Sequence, residues 1–324
     1  MASRRMRSSS IESNYLPSSS LNFRSGSKGT KLVREPTTIF DTLLTVILFG
    51  CRKYLFFSTQ KRLFVYFVLL VSSIVGDYVN VPKIYFADSS TFLNQYFVKL
   101  GWFWTTLLTA SFMVTTCKVF YTDSRQKIAK HVSRLVVATF FWYFWTKMFN
   151  CLDDSYGTCS EKGLKRIECR KAGKVWQSFD ISGHVFILIY SILVMISEAR
   201  PIIGWDKIQD AIIAEDNARQ TGKKAKLNYL NENDLNTLKI AYKQMTPYVK
   251  FVFIVIAIFV AIWELMLLTT MMYFHKMPEK LLAGLIAMLT WFLTYKLWYT
   301  SQFLPLLPGQ GFFNYDALQK SDLS

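Results

Sequence analysis

The chain of 324 residues is 52% hydrophobic and 16% aromatic against 19% charged, a balance that excludes an ordinary soluble domain and predicts an integral membrane protein. Its formal net charge of +16 lies in loops between apolar runs; without a basic stripe carrying interleaved aromatics, nucleic acid is excluded in favour of an anionic membrane surface or an anionic substrate. Five scattered cysteines, none in a CxxC or Cys/His grouping with zinc spacing, rule out a disulfide scaffold and leave no metal or cofactor to expect.

Residues 1–36 are rich in Ser, Arg and Lys without an apolar core, and read as a disordered basic tail, not a cleavable signal. The run Ile39–Leu48 is followed by Arg52 and Lys53, so 37–58 is predicted as an interfacial helix, with an extension of the first span as the alternative. Six later stretches approach the ~20 apolar residues that cross a bilayer: Leu63–Val79, Phe97–Cys117, Val132–Phe149, Ile181–Ser197, Tyr248–Tyr273 and Leu281–Phe303. The expectation is an all-α integral membrane protein with one six-span domain over 59–313 and a short tail, 314–324.

Eleven Lys/Arg against three Asp/Glu in the first 62 residues, and five against one over Lys118–Arg134, place both segments in the cytosol. The long 199–247 loop, with KKAK at 223–226, joins them, and an even number of spans makes both termini cytosolic. The 150–180 loop falls on the luminal side despite Lys162, Lys165, Arg166, Arg170, Lys171 and Lys174, so these charges are predicted to serve a local purpose. Cys151, Cys159 and Cys169 share that loop, where an oxidising lumen allows two of them to pair; the spacing does not say which.

His184 opens span four in FDISGH and His275 follows span five in YFHKMPEK. Parity puts both at one membrane face whatever the absolute orientation. Imidazole suits proton transfer near neutral pH, and a second imidazole can attack phosphorus to give a phosphohistidine. Asp180, one helical turn ahead of His184, is predicted to orient that ring or raise its pKa. Ser182 and Gly183 would present a hydroxyl and an unobstructed N–H near a helix N-terminus. Lys276, Lys280 and the basic loop, Arg170 and Lys174 among it, are candidates for neutralising phosphate. Asp77 and Glu264 are ionisable groups in apolar runs. Glu264, eleven residues before His275 and so about 16 Å away along a helix, is assigned to helix packing or lipid contact. His131 has no catalytic mark. Trp102, Trp104 and FFWYFW at 140–145 read as helix surface and interface belt, with an acyl-chain pocket as the alternative.

FDISGH with Glu198 later in its helix, YFH with Glu279-Lys280 after it, and WFLTYKLWY followed by PGQGFF together resemble the fat storage-inducing transmembrane (FIT) family of the endoplasmic reticulum. That family is similar to the lipid phosphate phosphatases, whose P-S-G-H element matches Ser182-Gly183-His184 with Ile181 in place of proline. The resemblance implies a lipid-phosphatase-like helical core, with His275 as nucleophile and His184 as proton donor. The K-x6-R-P element of the phosphatases has no counterpart here, and Glu279 stands where they carry an aspartate. The implied activity is a fatty acyl-CoA diphosphatase releasing acyl 4'-phosphopantetheine and adenosine 3',5'-bisphosphate at the luminal face. Lipid-droplet formation, and diacylglycerol and triacylglycerol as bound lipids, are implied with it. The rival expectations are a non-catalytic protein partitioning those neutral lipids and a small transporter, the latter opposed by the lack of internal repeats.

Overall fold

The computed structural model describes residues 38–300 apart from 80–84, 86–87, 89, 122–124, 162, 223–226 and 228–229. The basic tail, KKAK, PGQGFF and the C-terminal tail lie outside the described residues. Ten helices are described: α1 (Ile39–Leu55), α2 (Thr59–Ser72), α3 (Ile74–Tyr78), α4 (Gly101–Tyr121), α5 (Arg125–Tyr156), α6 (Arg166–Lys171), α7 (Gly183–Glu198), α8 (Trp205–Thr221), α9 (Glu232–Tyr273) and α10 (Met277–Trp291). Among the described residues the only strands are two residues each, β1 (Thr158–Cys159) and β2 (Trp176–Gln177), paired antiparallel.

Each of the six predicted apolar stretches lies largely within helix. Among the described residues, four segments suffice by length and composition to cross a membrane: Thr59–Tyr78, Gly183–Thr221, Glu232–Tyr273 and Met277–Trp298. At 1.5 Å per residue the 42 residues of α9 reach about 63 Å, twice a hydrocarbon layer. Its polar first half therefore continues outside, where Lys239 pairs with Asp216 of α8 at 2.6 Å.

The chain divides into a unit ending at Leu43 and a second running from Leu44. In the first, the Thr38 hydroxyl and Asp41 carboxylate join at 2.6 Å and the Asp41 N–H donates to Thr38 Oγ1, closing the first turn of α1. α1 is a helix of its own, ended before α2 by Phe56–Ser58.

In the second unit α7 is the axis. Every residue from Val185 to Glu198 is buried, because α4, α5, α9 and α10 all pack on it. Two glycines let helices approach closely. A Cβ on Gly284 of α10 would stand 2.4 Å from Leu70 of α2, and one on Gly76 of α3 would stand 2.8 Å from the Met272 carbonyl of α9. Trp102 is buried and stacks between Trp142 and Tyr190, while Trp104 stacks on Phe97, so both indoles serve helix packing.

The loop after α5 is a stapled hairpin: Cys159 and Cys169 form a disulfide across ten residues and Cys151 stays free. Two of the basic residues placed on the luminal side have local partners. Arg166 pairs with buried Asp153 at 2.6 Å, Asp153 also accepts from the Trp176 indole and the Ser178 hydroxyl, and Lys174 pairs with Glu161 at 3.3 Å. Closing so short a loop contributes about 3 kcal/mol through the unfolded state. Cys169→Ser is therefore expected to loosen the hairpin selectively, read as faster amide exchange over 157–178 with α7 and α9 unchanged.

Candidate active site

The two histidine motifs meet. Glu279, in the first turn of α10 and 8% exposed, holds both: Oε2 accepts from the Lys276 N–H at 3.0 Å, and Oε1 from the Asp180 N–H at 3.3 Å. The Ser182 N–H donates to the Glu279 carbonyl at 3.5 Å. A glutamate at the third position of a helix commonly returns to its N-cap N–H; this one also fastens the segment leading into α7.

His275 sits between the end of α9 and the start of α10 with φ +57, the only positive φ outside glycine among the described residues. Histidine tolerates that region better than branched side chains, though at a cost of order 1 kcal/mol. The turn is clamped from the other side by Asp77, which accepts from the Met277 N–H at 2.7 Å. Nδ1 of His275 faces two carboxylates, Glu279 Oε2 at 3.6 Å and Asp180 Oδ2 at 3.9 Å. A ring that turns Nδ1–H toward carboxylates presents the Nε2 lone pair outward, as a nucleophile requires.

His184 stands exposed in the first turn of α7, and charges on His275, Lys99 and Asp180 all act on its ring. Ser182 is the N-cap, its hydroxyl accepting from the Val185 N–H. Gly183 opens the helix, with nothing within 4 Å of where a Cβ would stand. A helix start with free N–H groups and open space beside it accommodates an anion.

Several expectations need correction. Asp180 precedes α7, since Ser182 caps the helix, so it is not one helical turn from His184; its carboxylate reaches toward His275, while its charge still acts on His184 as expected. Lys280 cannot neutralise phosphate: it is 1% exposed, and its ammonium is committed to Asp77 Oδ1 at 3.1 Å, the Met271 carbonyl at 2.9 Å and the Ser73 carbonyl at 3.4 Å. Lys174 pairs with Glu161 in the hairpin while both side chains stay exposed, and the Arg170 side chain lies outside the described residues. Lys276 stays exposed and, with His275, Asp77 and Tyr78, walls a cavity of about 570 Å³; His184 is not part of that wall. Glu264 is fixed by the hydroxyls of Tyr54 and Tyr66 at 2.5 and 2.6 Å, which bears out its helix-packing reading. His131 is buried against Arg134 at 2.8 Å.

Sequence reasoning missed Lys99. It is exposed, donates to Gln95 Oε1 at 2.7 Å, and acts electrostatically on His184. The topology count carried the signal, because a residue just before α4 falls at the same face as the start of α7. A charge-assisted contact to phosphate is worth about 1.5–3 kcal/mol, so Lys99→Gln is expected to lower kcat/KM toward a phosphate-bearing substrate by about tenfold or more without changing the melting temperature.

The profile of the family described as fat storage-inducing transmembrane protein matches residues 82–159 and 152–295. The chain is 43% identical over 318 residues to the acyl-coenzyme A diphosphatase FITM2 of Drosophila melanogaster, covering 95% of this chain and 74% of that protein. It is 32% identical to the protein of the same name from Danio rerio (75% of this chain, 85% of that one) and 27% identical to the one from Homo sapiens (75% and 83%). No solved structure matches the chain. The profile match spans more than half of the sequence, and a relative at 43% identity extends the likeness over nearly all of it: the chain belongs to the fat storage-inducing transmembrane family.

Proposed function

We propose that this chain is a fatty acyl-CoA diphosphatase, a hydrolase in which His275 is the nucleophile and His184 the proton carrier. The observation that carries the reading is the tie between the two histidine segments through Glu279, together with the Nδ1 face of His275 turned to Glu279 and Asp180. The relatives' printed activity, acyl-coenzyme A diphosphatase, supports the substrate.

Nε2 of His275 attacks one phosphorus of the diphosphate, so the phosphohistidine that forms keeps the ester, acyl-pantetheine or adenosine, already on that phosphorus. The P–O anhydride bond breaks as the N–P bond forms, and His184 gives its proton to the departing phosphate. Water, deprotonated by His184, then cleaves the phosphohistidine. The products are acyl 4'-phosphopantetheine and adenosine 3',5'-bisphosphate. Glu279 and Asp180 hold the tautomer and disperse charge on the His275 ring, while Lys99, Lys276 and the Gly183 N–H face the phosphates. The 3.6 and 3.9 Å separations at Nδ1 shorten when substrate is bound, as catalytic contacts commonly do.

Six crossings, with α4 and α5 added to the four long apolar segments, put both termini in the cytosol and the histidines in the lumen of the endoplasmic reticulum. The Cys159–Cys169 disulfide supports that side. The reading includes diacylglycerol and triacylglycerol as bilayer partners in lipid-droplet formation, supported only by family membership. Purified protein given oleoyl-CoA should release the two phosphate products in equal amounts, with turnover surviving chelation of divalent metals. Release of free CoA and oleate instead, or no turnover, would overturn the assignment.

A further inference from the structure

We infer that the end of the helical core opposite the histidines carries a second site, which binds the phosphate of an anionic phospholipid. Arg200 lies sixteen residues beyond His184 and Lys296 nineteen beyond Met277, so at 1.5 Å per residue both stand roughly 24–29 Å from the histidine end. There Arg62, Arg200 and Lys296 converge on one small cavity, with Ser197 and Tyr295 also in its wall and no carboxylate. The charge of Arg200 acts on Lys296, and two cations held together in this way favour an anion between them.

Arg62 is the buried member, 5% exposed. Its Nη2 donates to the Tyr54 carbonyl at 2.7 Å, but Nη1 has no hydrogen-bond partner. The carboxylate facing Nη1, Glu264 Oε1, is 3.7 Å away, beyond hydrogen-bond distance, and already accepts from Tyr66. A buried donor left open is costly, and a phosphate oxygen beside Arg62, which borders the small cavity, would satisfy it. Arg62 also borders a second, larger cavity of about 610 Å³ whose walls include Val65, Leu69, Leu267 and Leu268. Free phosphate would occupy only the first space. A phosphate carrying an acyl chain, phosphatidate being the simplest, occupies both, with Arg62 at the junction.

The full chain in zwitterionic detergent is titrated with dioleoylphosphatidate, dioleoylphosphatidylcholine or inorganic phosphate while the melting temperature is followed. Phosphatidate is expected to raise it saturably, and the other two to leave it unchanged. In the double variant Arg200→Gln/Lys296→Gln, phosphatidate should bind about thirtyfold more weakly, from roughly fivefold per interfacial cation, with acyl-CoA turnover unaltered. Both side chains are exposed, so the variant folds, whereas Arg62→Gln alters a buried group and serves only as a secondary check. Equal stabilisation by inorganic phosphate would mean a free-anion site, and equal stabilisation by phosphatidylcholine a purely apolar one. Either result, or undiminished phosphatidate binding in the double variant, overturns the proposal.

Discussion

Replacing His275 is expected to reduce oleoyl-CoA hydrolysis by about 10⁴-fold or more, the scale on which removing a covalent nucleophile acts. The choice of residue matters because of the backbone. His275 holds φ +57, where alanine is strained by about 1 kcal/mol, while asparagine visits the left-handed region readily. His275→Asn is therefore the cleaner variant: it should melt with the parent protein while losing turnover. His184→Ala should also fold, since the ring is exposed in the first helical turn, and should slow both halves of the reaction. Losing a positioned general acid–base costs about 10²–10⁴-fold, so His184→Ala is expected to retain more activity than His275→Asn. The inverse ranking, measured as single-turnover rates on labelled oleoyl-CoA, would exchange the two roles.

The second large effect concerns stability. At the far end of α7, Arg134 and Glu198 form a buried two-pronged ion pair at 2.8 and 2.7 Å, each side chain 2% exposed. Tyr295 adds a hydroxyl to Glu198 at 2.7 Å, so α5, α7 and the π-helical continuation of α10 (Phe292–Trp298) are pinned at one point. Removing one partner leaves an unpaired charge among packed side chains, for which the cost is about 3–5 kcal/mol. Glu198→Ala should therefore fall among the least stable single variants in a detergent or SDS denaturation series. Joint replacement, Arg134→Leu with Glu198→Met, should recover most of the loss, because neither charge is then stranded. A double variant as unstable as the sum of the singles would show that the residues act independently.

Much of this arrangement was legible in the sequence, and the reasons differ by feature. Apolar runs and their lengths located the helices, and parity alone placed His184 and His275 at one face, because it depends only on how many times the chain turns. Helix starts were harder to read. Counting four residues from Asp180 to His184 assumed a helix over both, whereas Ser182, accepting from the Val185 N–H, begins the helix after Asp180. That shift frees the aspartate to face His275, a contact 95 residues away in sequence. Lys280 shows the opposite limit. Its sequence neighbours suggested solvent, but Gly76 and Gly284 bring α2, α3, α9 and α10 close enough for the side chain to be enclosed against Asp77. Lys99 was passed over because a single lysine before an apolar run looks like an ordinary interface residue, and only folding brings its charge within electrostatic reach of His184. The Cys159–Cys169 pairing likewise depends on the hairpin register, which two-residue strands do not announce.

The account rests on a covalent phosphohistidine at His275. Rapid quench of the enzyme with oleoyl-CoA carrying a labelled diphosphate should trap an acid-labile N–P adduct, the labelled phosphorus still bearing its pantetheine or adenosine ester, that peptide mapping assigns to His275. The adduct should be absent in His275→Asn and should accumulate in His184→Ala, where the water step is slowed. Turnover without any trapped adduct, or an adduct mapping to a residue other than His275, would contradict it.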